Sequence, residues 1–351
     1  MGTVILHAGR PKAGSSSIQR WLENRSRWLR NEHRIRLLVM RDRHEEGAKG
    51  LHLGVYDANG VNSGVFVRRF LALREGTALA RRFCDELDTF ANRYSSVVVT
   101  SEAFATLFDG GSTSFLECLG QLGLKHKVRV AYYVRPQHAS LEAYWRQWGF
   151  RSGQAPSDYL REVANRHDYL QTCRVVHEIA PSLDFEPRPL LRELLAGGEV
   201  VVDFAERFLG IAGVGATGPD AWSNVGFPLA LVNLLQAAPP GSLWSDRHDN
   251  RALDRLRPII ADWDVPETPE IGSSRELLQQ WCHDVFETGN RELIRAGGWP
   301  VDWFVPPLAN RENASERSLD ELDQLWSPDS IGNATLARTL LFRAFGILAE
   351  R

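Results

Sequence analysis

The chain has 351 residues, of which 43% are hydrophobic and 24% are charged. These proportions are those of a globular protein and exclude a disordered or fibrous one. The net charge of −3 at pH 7 gives no overall positive field, so we expect no nucleic-acid partner, and any polyanionic ligand needs a local site.

No apolar run approaches the ~18–20 residues that span a bilayer, and the segment from Met1 to His7 lacks the basic start of a signal peptide. We therefore predict neither a transmembrane segment nor a secreted protein. The four cysteines have no metal-ligand spacing and are predicted to be reduced thiols of a cytoplasmic protein: Cys84, Cys118, Cys173 and Cys282.

The first 30 residues predict a strand, a loop and a helix. Thr3 to Ala8 is a short apolar run that ends at Gly9-Arg10-Pro11, as a buried strand does. After Gly14, the serines at positions 15, 16 and 17 are predicted to supply the helix N-cap. Ile18, Trp21 and Leu22 then recur at helical spacing.

The following segments continue this alternation. Residues 40–64 are rich in charge, glycine and turn signals and are predicted to form an irregular loop region, and residues 70–90 have helical periodicity. Further buried strands are predicted at residues 96–100 and 127–134, and the second of these precedes a helix. Helical periodicity dominates after residue 152, except for a strand-like piece at 183–186. Alternating strands and helices predict an α/β fold with a central parallel sheet flanked by helices and a C-terminal helical elaboration.

The segment Gly9–Ser16 (Gly-Arg-Pro-Lys-Ala-Gly-Ser-Ser) has two glycines at the spacing of a phosphate-binding loop. Glycine lets the backbone approach phosphate closely, and amides at a helix start point at an anion. The lysine of an ATP-binding Walker loop is missing, because Ser15 stands there and Lys12 lies inside the loop. One cation with several hydroxyl and amide donors suits a 5′-phosphosulfate and requires no metal. A turn that only caps the helix is the alternative.

From His7 to Gln19 the sequence resembles the phosphosulfate loop of sulfotransferases that use 3′-phosphoadenosine 5′-phosphosulfate (PAPS), particularly the bacterial members. The resemblance implies a three-layer P-loop-type fold, with a sulfotransferase-like domain at residues 1–305. Leucines at helical spacing predict that residues 306–351 form a helical extension packed on the same domain. The resemblance also implies that Lys12 assists the leaving phosphate. The implied cofactor-binding loop is Arg10, Pro11, Lys12, Ala13, Gly14, Ser15, Ser16 and Ser17. Ala13 replaces a residue that is often Thr or Ser in the family.

A second motif, Val134-Arg135-Pro136-Gln137, is similar to the 3′-phosphate motif of the same family. Arg135 suits this role because a guanidinium binds phosphate through two hydrogen bonds. The family's serine eight positions later is replaced by Ala143, and Ser140 is the candidate substitute.

Two residues are candidates for the base that accepts the acceptor's proton. Glu102 follows the strand at 96–100 and would face the crevice at the carboxyl edge of a parallel sheet. His52, placed in the predicted loop region, is the rival, since neutral imidazole is a good base near pH 7.

The predicted activity is the transfer of a sulfuryl group from PAPS to a hydroxyl or amine of a sugar, glycolipid or natural product, giving 3′-phosphoadenosine 5′-phosphate (PAP). The alternatives are a P-loop nucleotide phosphotransferase, which would need Mg²⁺, and a nucleotide-binding module without catalysis. The sequence gives no indication of the oligomeric state.

Overall fold

A computed structural model describes residues 2–10, 13–45, 48–55, 76–102, 104–110, 112–215, 227–236, 253, 269–297 and 318–327. The side chains of residues 40–55, 186 and 234 are outside this description. The chain divides into two compact units, the first made of Met1–Arg135 and Asp168–Ser223 and the second of Pro136–His167 and Asn224–Arg351.

The described residues of the first unit form one sheet of six strands in the order β3-β2-β4-β1-β5-β6. The strands are β1 (Thr3–His7), β2 (Ile35–Glu45), β3 (Ala48–Val55), β4 (Ser96–Thr100), β5 (Lys127–Val134) and β6 (Asp184–Pro189). All neighbouring strands are parallel except β2 and β3, which form an antiparallel pair. The predicted α/β class with a mainly parallel sheet flanked by helices is therefore confirmed, together with the strands predicted near residues 3, 96 and 127.

Helices lie on both faces of this sheet, as successive residues of β5 illustrate. The helices of the first unit are α1 (Ser15–His33), α2 (Gly76–Arg93), α3 (Phe104–Asp109), α4 (Thr113–Lys125), α7 (Tyr169–Ile179) and α8 (Val200–Phe204), counted in chain order with the second unit. Tyr133 packs into a core formed with α1 and α8. Tyr132 points to the opposite face, where its ring contacts Phe108 of α3 and Phe185 of β6.

The second unit is helical in its described part. Its helices are α5 (Gln137–Trp145), α6 (Pro156–Ala164), α9 (Leu229–Gln236), α10 (Pro269–Gly297) and α11 (Glu321–Leu325). Trp145 and Trp326 are fully buried with ring centroids 5.6 Å apart, and the Ser157 amide and hydroxyl both donate to Asp323. Residues 318–327 thus pack into this unit. Residues 328–351 are outside the described part, and the domain boundary drawn at residue 305 stays a prediction.

The prediction of an irregular loop region at residues 40–64 was wrong for residues 40–45 and 48–55, which belong to β2 and β3. The inner half of β2, Ile35–Leu38, is apolar apart from Arg36 and pairs with β4, whereas its outer half pairs only with the edge strand β3. Because an edge strand need not bury both faces, its sequence can carry charges and glycines that otherwise indicate a loop.

The prediction that serines cap α1 was also wrong, because the helix begins at Ser15 and its N-cap is Gly14, with φ of 80°. Among the helices of the described residues, none combines the length and apolar character required to cross a bilayer.

Candidate active site at the carboxyl edge of the sheet

Three of the predicted functional segments leave neighbouring strands at the same edge of the sheet. In the register of the sheet, His7 at the end of β1 lies opposite Thr100 of β4 and Ala131 of β5. The loop after β1 therefore lies between the end of β4, which Glu102 follows, and the end of β5, which Arg135 follows. Ligands of parallel α/β sheets bind at this edge, in the crevice beyond the carboxyl ends of the strands.

The loop after β1 is closed by hydrogen bonds to a single carbonyl oxygen. The Ala13 amide and the Ser15 hydroxyl both donate to the Arg10 carbonyl, over 3.1 and 3.0 Å. A β-carbon on Gly9 would lie 2.3 Å from Ser15 Oγ and 2.6 Å from His7 Nε2, so the loop closes only around a glycine. The hydroxyl proton of Ser15 is thus used to shape the loop.

Gly14 is required for a different reason. Its positive φ of 80° is a conformation that other residues rarely adopt, and a β-carbon there would approach Val200 Cγ1 of α8 to 2.8 Å. Helix α1 begins directly after this turn, so its first-turn amides face the loop. Ser16 is exposed and Ser17 is half-buried in that turn, and the Ser17 amide donates to the Gly14 carbonyl.

His7 is completely buried at the base of the loop. Its Nδ1 is hydrogen-bonded to Thr100 Oγ1 over 2.7 Å, and its ring packs edge-on against Phe204, with centroids 5.5 Å apart. Burial lowers the pKa of His7 to about 3, so the imidazole is neutral. Its Nε2 has no hydrogen-bond partner among the described residues and points to Gly9. A buried nitrogen of this kind is expected to have a partner, and one aimed into the loop suits a bound ligand.

The side chain of Arg10, a residue of the loop, forms a buried ion pair. Its Nη1 donates to Asp109 over 2.7 Å and to the Tyr132 hydroxyl over 2.9 Å, and the hydroxyl donates in turn to Asp109. We call Arg10, Asp109 and Tyr132 the Arg10 cluster. The arginine and aspartate side chains are only 1% and 3% exposed, and burial raises the pKa of Tyr132 well above its ordinary value. The positive charge of Arg10, a residue of the implied cofactor-binding loop, is therefore already balanced by Asp109.

Tyr169 of α7 connects this cluster to the end of β5. The Arg10 guanidinium lies over the Tyr169 ring at 5.1 Å from its centroid, and the Tyr169 hydroxyl donates to the Arg135 carbonyl over 2.8 Å. Arg135 itself is half-buried. Tyr169 thus links the backbone of Arg135, the proposed ligand of the 3′-phosphate, to Arg10 of the loop.

A second group of the same composition lies on the other face of the sheet, and we call Arg188, Asp203 and Tyr133 the Arg188 cluster. Arg188 donates to both carboxylate oxygens of Asp203 over 2.8 and 2.6 Å, and Asp203 also accepts from the Tyr133 hydroxyl and the Ala196 amide. Burial alone would raise the pKa of Asp203, but these hydrogen bonds hold it below the ordinary value. The cluster fixes α8, whose Val200 packs under Gly14.

Glu102 occupies the turn between β4 and α3. Its side chain is half-buried, and its carbonyl accepts from the Ala105 amide over 3.2 Å. The neighbouring Ser101 amide donates to the His7 carbonyl over 3.1 Å, which joins this turn to the end of β1. The structure therefore joins the segment of Glu102 to the end of β1, where the loop begins, and the role of Glu102 as a base stays a prediction.

The other predicted residues are placed less completely. Pro11 and Lys12 lie outside the described residues, and for His52 only the backbone is described, in β3 opposite Arg41. Ser140 belongs to the second unit, where its buried hydroxyl is hydrogen-bonded to His167 Nε2 over 3.0 Å. Its role at the 3′-phosphate stays a prediction.

Sequence reasoning missed Asp109, Tyr132, Tyr169 and Thr100. Arg10 is separated from the first two by 99 and 122 residues, and no local motif marks any of them. Within the described ranges, no group of three or more His, Cys, Asp or Glu side chains is arranged to hold a metal ion.

Comparisons with protein-family models, with curated proteins and with solved structures find no match for this chain. The resemblance to sulfotransferases rests on the loop from His7 to Gln19 and on the motif around Arg135.

Proposed function

We propose that the protein transfers a sulfuryl group from PAPS to a hydroxyl or amine of a small acceptor and releases PAP. The observation that carries the proposal is the glycine-closed loop between β1 and α1, with the segments of Glu102 and Arg135 leaving the two adjacent strands. The acceptor class, a sugar, glycolipid or natural product, and the P-loop type of the fold belong to the same proposal. So does a cytoplasmic location, which fits four cysteines that form no disulfide.

In the proposed reaction the acceptor oxygen or nitrogen attacks sulfur in line with the departing 5′-phosphate oxygen. The sulfur–oxygen bond to that phosphate breaks as the new bond to sulfur forms, and the acceptor proton passes to a base. Glu102 is the first candidate for the base and His52 the second. Lys12 stabilises the negative charge that grows on the leaving phosphate, and Arg135 binds the 3′-phosphate.

His7 adds a neutral donor to this scheme. When the Thr100 hydroxyl donates to Nδ1, the ring proton is on Nε2, which points to the loop. In this tautomer His7 donates to an oxygen of the 5′-group without adding charge. Arg10, whose charge is balanced by Asp109, shapes the loop in this proposal rather than neutralising the ligand.

The test is a calorimetric titration of the full chain with PAP, with and without EDTA, and with ATP plus Mg²⁺ as the comparison. We expect binding of PAP that does not require a metal. Arg135→Ala should weaken it about 10- to 100-fold, because a charge-assisted hydrogen bond is worth about 1.5–3 kcal/mol. Arg82→Ala is the matched control, because Arg82 is an exposed arginine of α2 and its loss changes the net charge equally.

Lys12→Ala is expected to bind PAP almost normally and to lose sulfuryl transfer, because the lysine acts on charge that develops in the transition state. No binding of PAP, or preference for ATP with Mg²⁺, would refute the proposal and favour the phosphotransferase. Tight binding of PAP without turnover of PAPS across a panel of sugar, lipid and phenol acceptors would favour the non-catalytic module.

A further inference from the structure

Two cysteines face each other between parallel helices on one side of the sheet. Cys84 lies in the middle of α2 and Cys118 in α4. The helices are joined near their amino ends by a hydrogen bond from the Thr77 hydroxyl to Ser114 over 3.1 Å. Near their carboxyl ends Lys125 donates to Asp88 over 2.9 Å. The two cysteines are therefore held in register by contacts on either side of them.

The two thiols contact each other and differ in their access to solvent. Cys84 is buried and Cys118 is half-buried, and their side chains are hydrogen-bonded to each other. Both line an open groove of about 540 Å³ between α2 and α4, together with Arg81 and Glu117. A small molecule in this groove therefore has freer access to Cys118 than to Cys84.

The two thiols also differ in pKa, and the more accessible Cys118 has the lower value. The hydrogen bond from Cys84, aided by the positive charge of Arg81, lowers the pKa of Cys118 to about 7. The same contact and burial raise the pKa of Cys84. Because the thiolate is the nucleophile in thiol–disulfide exchange, we expect Cys118 to attack the small disulfide first and Cys84 to react in the second step.

We propose that Cys84 and Cys118 form a redox-active dithiol that is oxidised to an intramolecular disulfide by small-molecule disulfides entering the groove. In the first step the Cys118 thiolate attacks one sulfur of the small disulfide. A Cys118 mixed disulfide forms, and one small thiolate leaves. In the second step Cys84, after losing its proton, attacks Cys118 Sγ and releases the second small thiolate. The protein loses two electrons and two protons, and the small disulfide is reduced to two thiols.

This site is independent of the sulfotransferase proposal. Both helices belong to the first unit, but neither cysteine adjoins the loop after β1 in sequence, and the reaction requires no nucleotide. The other two cysteines serve as internal references, because Cys173 of α7 and Cys282 of α10 are both buried.

The experiment incubates the full chain with mixtures of reduced and oxidised glutathione at pH 7, traps thiols with acid and an alkylating reagent, and maps each cysteine by mass spectrometry. We expect the wild type to lose two hydrogen atoms and to yield a peptide linking Cys84 to Cys118. Cys173 and Cys282 should remain alkylated. Dithiothreitol should restore all four thiols.

The variants separate the two steps. Cys84→Ser should accumulate a stable glutathione adduct on Cys118, Cys118→Ser should leave Cys84 unmodified, and Cys282→Ser should behave as the wild type. Circular dichroism verifies that each variant is folded, and the linked peptide in the wild type is a test that needs no variant. A stable glutathione adduct on wild-type Cys118, or reaction of all four cysteines only after unfolding, would overturn the proposal.

Discussion

Two clusters of identical composition lie on opposite faces of β5, and they differ in how much water reaches their arginine. The Arg10 cluster and the Arg188 cluster each combine an arginine, an aspartate and a tyrosine, and the two tyrosines are consecutive residues of one strand. Arg10 is 1% exposed, whereas Arg188 is 16% exposed. The two arginines therefore hold different parts of the site. Arg10 belongs to the candidate loop itself, whereas Arg188 binds Asp203 of α8, the helix that packs against the loop at Gly14.

The difference in burial predicts a difference in the cost of removing the aspartate. Asp109→Ala leaves the buried Arg10 without its counter-charge and should lower the free energy of unfolding by about 3–5 kcal/mol. Asp203→Ala should cost less, about 2–3 kcal/mol, because Arg188 is able to turn toward solvent. Urea denaturation followed by circular dichroism measures both values.

Asp184→Ala is the control for this pair of measurements. Asp184 accepts from Arg129 over 2.8 Å, and its side chain is 47% exposed, so its loss should cost less than about 1 kcal/mol. Equal costs for Asp109→Ala and Asp203→Ala would show that burial of the arginine does not set the penalty.

The second prediction concerns the link from the Arg188 cluster to the loop, through α8. Gly14→Ala combines a strained positive φ with the approach of its β-carbon to Val200 and should cost about 2–4 kcal/mol. Gly210→Ala is the matched control, because its φ of 70° is similar and no described atom lies within 4 Å of its β-carbon position. We expect it to cost only about 1–2 kcal/mol.

Combining Val200→Ala with Gly14→Ala should remove the clash at position 14. The double variant should therefore regain most of the difference in free energy of unfolding between Gly14→Ala and Gly210→Ala. Thermal and urea unfolding of the four variants measure this. If the double variant gains nothing over Gly14→Ala, the contact between α8 and the loop is not what limits position 14.

The third prediction uses the pH dependence of stability. The pKa of His7 is about 3 in the folded protein, below the value of about 6.5 for an unfolded chain. The contribution of neutral His7 to the free energy of unfolding is therefore complete above pH 6.5. It is lost as the pH falls, by at most about 1.4 kcal/mol for each pH unit. His7→Gln should show a shallower loss of stability than the wild type between pH 6 and pH 4. Parallel curves would mean that His7 already binds its proton in the folded state.

The sequence was sufficient for the elements that carry the site. The apolar runs that form β1, β4 and β5 are followed within two residues by glycine, serine or proline, and neighbouring parallel strands bring their carboxyl ends together. This is why the sequence predicts that Glu102 lies at the carboxyl edge of the sheet. The hairpin of β2 and β3 was not predicted because its charged outer half lies at the edge of the sheet.

The partners that shape the site could not be predicted. Arg10 was assigned to the cofactor because it stands in the loop, whereas its side chain pairs with Asp109 at the end of α3. Ser15 was predicted to cap a helix, but its hydroxyl closes the loop on the Arg10 carbonyl. Both outcomes depend on contacts made only after the chain folds, and neither changes the hydrophobic periodicity from which helices and strands are predicted.

Because Tyr132 and Tyr133 are consecutive residues of β5, the protein should not tolerate a change in the length of this strand. Side chains alternate between the faces of a strand, so inserting or deleting one residue between Lys127 and Tyr132 would exchange the faces of both tyrosines if the amino end of β5 kept its register. Tyr132 would then meet the side of the sheet that holds Asp203, and Tyr133 the side that holds Asp109, with each hydroxyl displaced along the strand. Homologous chains that keep both clusters should therefore vary in the length of their loops and keep β5 free of insertions and deletions.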